Sequence, residues 1–170
     1  MINHNKLLYS LLDRTISINF NSKDWVVNYT EGDLYELTKK LDDSKTKYPI
    51  IWLQSGYSVE RSKTSRKITL KNCKFYFITK GSDTDYYEKR YNSTYKEILY
   101  KLLLKFDEVI RKSKGITATD TDSFTTYPFN DTSELNWKKE QILSIIDIWD
   151  ALELETDLEI SIGCYNQFLI

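Results

Sequence analysis

DALELETDLEISI, residues 150–162, alternates apolar and polar side chains. Leu152, Leu154, Leu158, Ile160 and Ile162 share one phase, and Glu153, Glu155, Asp157, Glu159 and Ser161 the other. A period of two is that of a half-buried strand, here with one greasy and one acidic face. A second stretch, RKITLKNCKFYFITK at residues 66–80, has the same period and the opposite charge. Ile68 and Leu70, then Cys73, Phe75 and Phe77, mark its core face. Lys67 and Thr69, then Lys74, Tyr76, Ile78 and Lys80, mark the other. The phase slips by one at Lys71-Asn72, the signature of a bulge. If the two strands pair, a basic row meets an acidic row, each opposed pair contributing roughly 0.2–1 kcal/mol. If they do not, each simply presents a solvated face.

Working outward, 170 residues suit one domain with a proper core. Apolar residues make up 41% and charged residues 29%, as expected of a folded, soluble chain. No apolar run reaches the ~18 residues of a membrane span, so no membrane partner is expected. Leu7, Leu8, Leu11 and Leu12 are interrupted by Tyr9, Ser10 and Asp13, unlike a signal peptide, and the product is expected to be cytosolic when made. Cys73 and Cys164, the two cysteines, lie in apolar strand contexts and read as inert thiols. Net charge is −1, which gives no global attraction to nucleic acid. Residues 60–80 hold seven Lys or Arg against one Glu, whereas residues 140–170 hold seven Asp or Glu and no base. Such a chain either has a basic and an acidic surface suited to head-to-tail contact, or brings the two rows together so that they cancel.

Along the chain, residues 5–16 carry a helical stripe of Leu7, Leu8, Leu11, Leu12 and Ile16, with Asn3 or Asn5 as cap. Residues 20–29 turn extended. Asp33 caps a second helix whose stripe is Leu34, Leu37 and Leu41. Residues 43–47 read as a turn, and Pro49 opens a buried strand, Ile50, Ile51, Trp52 and Leu53. The polar stretch 54–65 reads as an exposed hairpin or projecting arm. The clearest helix spans 91–114, with Tyr95, Ile98, Leu99, Leu102, Leu103, Phe106, Val109 and Ile110 at spacings of three and four. Thr94 and Glu97 have the spacing of a capping box, and Gly115 of a C′ residue. Tyr100 and Leu104 lie off the stripe. Residues 117–136 form a polar loop with room for one edge strand near Phe124 and Tyr127. Residues 137–149 fit either a helix or an early start to the last strand, the latter favoured from about Ser144. The order predicts an α+β fold of one domain, an antiparallel sheet packed against a long helix and an N-terminal helix.

Groups able to do chemistry are sparse. His4 is the single histidine, and the five glycines never cluster into a phosphate loop. No cofactor, metal site or catalytic residue is expected. The acidic row could hold a divalent metal, but a solvated strand face is the commoner reason for such alternation. Tyr86, Tyr87 and Tyr91, interleaved with Lys89 and Arg90, could stack on bases, or pack a loop against a partner.

The order of KYPIIWLQ (residues 47–54), a polar arm, KITLKNCKFYFITK (67–80), RYNSTYKEILYKLLLKF (90–106) and DIWDALELETDLEI (147–160) resembles head-to-tail connector and tail-terminator (tail-completion) ring proteins of tailed bacteriophages, including those of crAss-like phages. The resemblance implies a non-catalytic structural protein of the virion, assembled in the host cytoplasm. It implies a six- or twelve-fold homo-oligomeric ring, with portal, neck or tail proteins as neighbours. DNA would pass through the lumen without sequence-specific contact. Sheet and arm then supply the expected subunit interface: Tyr57, Arg61, Lys67, Lys74, Glu153, Glu155, Asp157 and Glu159. The competing expectations are a small intracellular adaptor with one exposed apolar patch, and a metal enzyme built on the acidic row.

Overall fold

The computed structural model describes residues 4–43, 48–62, 64–82, 84–118, 123–127 and 149–161. Its spine is a ribbon of two long antiparallel strands, β6 (Lys67–Lys80) and β9 (Trp149–Ser161). The two alternating stretches do pair. Lys74 lies opposite Glu155, Thr69 opposite Glu159, and Phe75 opposite Leu154. Leu70 faces Leu158 and Cys73 faces Thr156, so Lys71 and Asn72 together oppose Asp157 alone. This is the expected bulge, which restores the apolar phase after one extra residue. Asn72 takes the left-handed conformation there, at φ 58°, and its amide donates to Asp157 Oδ1 at 2.8 Å.

Each long strand shares its outer edge between two shorter ones. On β6, the strand β4 (Ile50–Gln54) pairs beside residues 75–78 and β5 (Ser58–Ser62) beside residues 67–71. On β9, β7 (Ile116–Ala118) and β8 (Ser123–Tyr127) divide the opposite edge. The stretch 54–65 is therefore a hairpin strand of the main sheet, with every residue of β5 exposed. The polar loop holds β7 and β8, the second at the expected place. The ambiguous stretch up to residue 148 lies outside the described residues.

One pair departs from the antiparallel expectation. β3 (Asn28–Gly32) runs parallel to β4, joined through α2 (Leu34–Asp43). A parallel neighbour requires a crossover, and the helix supplies it. The amide of Glu36 donates to Asp33 Oδ1 at 2.9 Å and the amide of Asp33 to Glu36 Oε2 at 3.1 Å, a reciprocal cap. α2 packs on the face away from the other helices. Leu37 and Leu41 join Ile50, Trp52, Tyr76, Ile78, Trp149 and Ala151 there.

The other face carries the main core. α1 (His4–Leu12) buries Leu7, Leu8 and Leu12. The long helix begins with α3 (Tyr87–Arg90), continues as a π-helical stretch (Tyr91–Leu99) and ends as α4 (Tyr100–Lys112). Phe106 packs 4.9 Å from Phe75 and 5.3 Å from Phe77, ring centre to ring centre. The helix starts seven residues before the Thr94–Glu97 box, which caps nothing. Thr94 donates back to the Arg90 carbonyl and Glu97 pairs with Lys101. The helix ends at Lys112, two residues short of the expectation, with the Ser113 amide donating to Val109 and Ile110. Tyr100 packs at the core's rim, and Leu104 stays 68% exposed.

A small hairpin lies between α1 and β3. β1 (Ser17–Phe20) pairs with β2 (Lys23–Val26) across Asn21 and Ser22, at φ 51° and 60°. Two consecutive positive φ angles make a type I′ turn, so the extended run of residues 20–29 is broken where asparagine tolerates that geometry.

Candidate functional site

Five of the eight expected interface residues lie together on the half of the sheet that α2 leaves uncovered. Alternation sends Lys67, Lys74, Glu153, Glu155 and Glu159 away from the main core, and the register brings the two signs within reach. Lys67 Nζ is 2.7 Å from Glu159 Oε2. Lys74 Nζ is 2.6 Å from Glu155 and 3.4 Å from Glu153. Lys71 Nζ is 2.9 Å from Glu60 on β5. The Lys74 ammonium is raised above its usual pKa chiefly by its bond to Glu155, and that of Lys71 by its bond to Glu60. Most of these side chains are roughly half exposed, so solvent and salt screen the pairs and each contributes little to stability. The basic and acidic rows thus meet and neutralise each other within one chain. The imbalance along the sequence does not become two patches of opposite sign here.

The remaining three are elsewhere. Asp157 sits at the bulge, holding the Asn72 amide. Arg61 lies opposite Ile68, on the helix side of the sheet. Tyr57 donates to Glu31 Oε1 at 2.6 Å. His4 Nε2 lies 3.2 Å from the same phenol oxygen, and the Tyr29 hydroxyl reaches Glu31 Oε2 at 3.5 Å. With its proton committed to Glu31, the Tyr57 oxygen accepts from His4, which fixes the Nε2–H tautomer. Burial, then the bond to Glu31, pushes the Tyr57 phenol above its usual pKa. Burial lowers that of His4, opposed by Glu31 and assisted by Arg61. Burial also pushes the Cys73 thiol up to about 12, leaving it protonated at neutral pH. The cluster ties the start of α1 to the base of β5.

The strongest buried polar contact escaped the sequence reading. Arg90 in α3 forms an ion pair with Asp150, whose side chain is wholly buried. The second Asp150 oxygen lies 2.7 Å from the Thr94 hydroxyl and shares its one proton with the Arg90 carbonyl. A signal was present: Asp150 falls in the apolar phase of its strand, with Leu152 and Leu154, where a carboxylate needs a buried partner.

That pairing alters the base-stacking reading. Arg90 is occupied by Asp150, and Lys89 is bound to Asp85 at 2.6 Å. Tyr86 and Tyr87 stay 87% and 61% exposed, with both interleaved cations engaged by carboxylates. The helix surface beyond is laced with its own pairs, Glu97–Lys101, Asp107–Arg111 and Glu108–Lys112.

Two of the strand edges that no other described strand covers also expose an apolar side chain. No other described strand pairs with the outer edge of β5 or of β2. Val59 and Val26, one on each, are exposed.

Among the described residues, no group of three His, Cys, Asp or Glu is arranged to hold a metal ion. No described helix is long and apolar enough to cross a membrane. No protein-family model matches the chain, and neither curated proteins nor solved structures give a significant match.

Proposed function

We propose that this chain is a non-catalytic structural subunit of a phage virion, many copies of which form a ring in the head-to-tail neck or tail assembly. The observation that carries this reading is that two strand edges, those of β5 and β2, have no partner among the described strands and each expose a valine. β5 flanks β6 at its Lys67 end. β2 leads into β3, whose first residue pairs with Ile50, itself opposite Ile78 near the other end of β6. A heterologous contact needs two different surfaces on each copy, and it closes into a ring when the rotation allows. The ionic face, its charges paired, offers passing DNA no strong attraction, in keeping with a lumen that must let DNA slide. The order of elements that resembles phage ring proteins supports the same reading.

The test is mass measurement and negative-stain microscopy of the purified chain over a range of concentrations, alone and with portal or tail proteins. Closed rings of six or twelve copies are expected. A chain that stays monomeric throughout, beside those partners as well, would sink the proposal. The adaptor reading keeps one specific support, the exposed Tyr86 just before the long helix and Tyr87 and Leu104 on it. It predicts a monomer or a dimer.

A further inference from the structure

We infer that β5 of one copy docks antiparallel on β2 of the next, in the register that sets Val59 opposite Val26 and Arg61 opposite Asp24. This rests on the reading of the chain as a self-assembling subunit, and supplies the contact that reading lacks.

The argument starts from what each edge offers. A one-sided strand leaves alternate N–H and C=O groups open to a further strand. Of the eight large hydrophobic side chains exposed among the described residues, only Val26 (46%) and Val59 (40%) lie in strands, and they lie in these two. Two residues from each valine, on the same face of its strand, stands a charge: Asp24 before Val26 and Arg61 after Val59. The charges are of opposite sign and in opposite chain order, so antiparallel pairing aligns valine with valine and guanidinium with carboxylate. Neither has an ion-pair partner among the described residues. Asp24 accepts only the Asn19 amide, at 3.0 Å, and Arg61 stays exposed.

The alternatives match less well. A parallel alignment of the same residues sets Val59 beside Asp24 and Arg61 beside Val26. Sliding the antiparallel register by two residues sets a charge against a valine. Pairing β5 with its own copy sets Glu60 against Glu60 or Arg61 against Arg61, or, centred on Val59, leaves both Glu60 and Arg61 without an opposite charge across the joint. On the second face of the inferred pair, Ser62 opposes Lys23 and Glu60 opposes Trp25, leaving Glu60 diagonal to Lys23 and within reach of it. Each copy so joined still presents a free β2 or β5, and the contact propagates until it closes.

The experiment uses the full chain and compares Arg61→Glu, Asp24→Arg and the two together. Both positions are exposed, so the fold is retained. Like charges across the joint are expected to raise the concentration for half-assembly by about tenfold or more in each single variant. The double variant restores the pairing with signs exchanged and is expected to return within about threefold. As a geometric check, Val26→Cys and Val59→Cys chains, both with Cys164→Ser, are mixed and oxidised. Directly opposed strand residues are close enough to bridge. Cross-links between the two variants are expected, with none from Val59→Cys alone. Rings that form normally with Arg61→Glu and with Asp24→Arg, and no cross-link, overturn the β2–β5 joint while leaving the ring standing. No assembly of the unaltered chain under any condition overturns both.

Discussion

Replacing Asp150 by alanine removes the carboxylate shared by Arg90 and Thr94. The guanidinium then stays between helix and sheet without its counter-charge, since Arg90 is only 5% exposed and anchored in α3. Breaking a buried pair from one side costs about 3–5 kcal/mol, mostly for the charge left behind. Thr94 adds little, because its hydroxyl keeps the Arg90 carbonyl as acceptor. Set against a typical stability of about 5–15 kcal/mol, that is a large fraction. For a chain of this size it corresponds to a fall in Tm of about 6–20 °C. Urea unfolding is the assay, with the midpoint moving and the m-value unchanged. A second variant isolates the charge: Arg90→Met with Asp150→Leu removes both ions and is expected to unfold within about 2 kcal/mol of the unaltered chain. Should Asp150→Ala cost no more than the loss of an exposed pair such as Glu97–Lys101, or the double variant be as weak as the single, the reasoning is wrong.

Three other expectations follow from named groups. Burial lowers the pKa of His4 below the ordinary histidine value of about 6.5, so the unfolded chain binds that proton more readily. Stability is therefore fully present above pH 6.5 and lost as pH falls through the native value. His4 is the sole histidine, so one imidazole resonance titrates in NMR, and a midpoint at or above 6.5 contradicts the buried contact with Tyr57. The Cys73 thiol, buried and pushed up to about 12, should react with a thiol reagent at pH 8 only as fast as the chain unfolds; prompt labelling of a Cys164→Ser variant would show otherwise. Asn72→Gly should leave stability within about 0.5 kcal/mol, whereas Asn72→Val should cost about 1–2 kcal/mol at its positive φ. Equal midpoints for the two variants would mean that the bulge is not held in that conformation.

The ribbon was legible because its information is local. Alternation in β6 and β9 gives each residue a face, and the slip at Lys71-Asn72 gives the bulge. The α+β class and the helix-packed sheet follow from the same patterns. What could not be read is pairing between distant segments. Nothing in Ile50 to Leu53 states that β4 runs parallel to β3, or that α2 covers the Trp52 face. The Thr94–Glu97 spacing misled because four residues occur by chance more readily than a helix start without a capping side chain can be recognised. That start is at Tyr87, where no side chain caps the helix. The charge rows were visible, but their cancellation depends on the register. Val26 and Val59 stand out only once the topology places both at edges.

The apolar cluster around Trp52 seals the back of the sheet only toward Ile78 and Trp149. Toward Lys67 and Ser161 the same two strands have salt bridges behind them and solvent beyond. Amide hydrogens should therefore exchange on two schedules, slowly at the clamped end and through small local openings at the other. β5 hangs from the yielding end, so the strand can flex to meet a curved neighbour while the Arg90 anchorage stays shut.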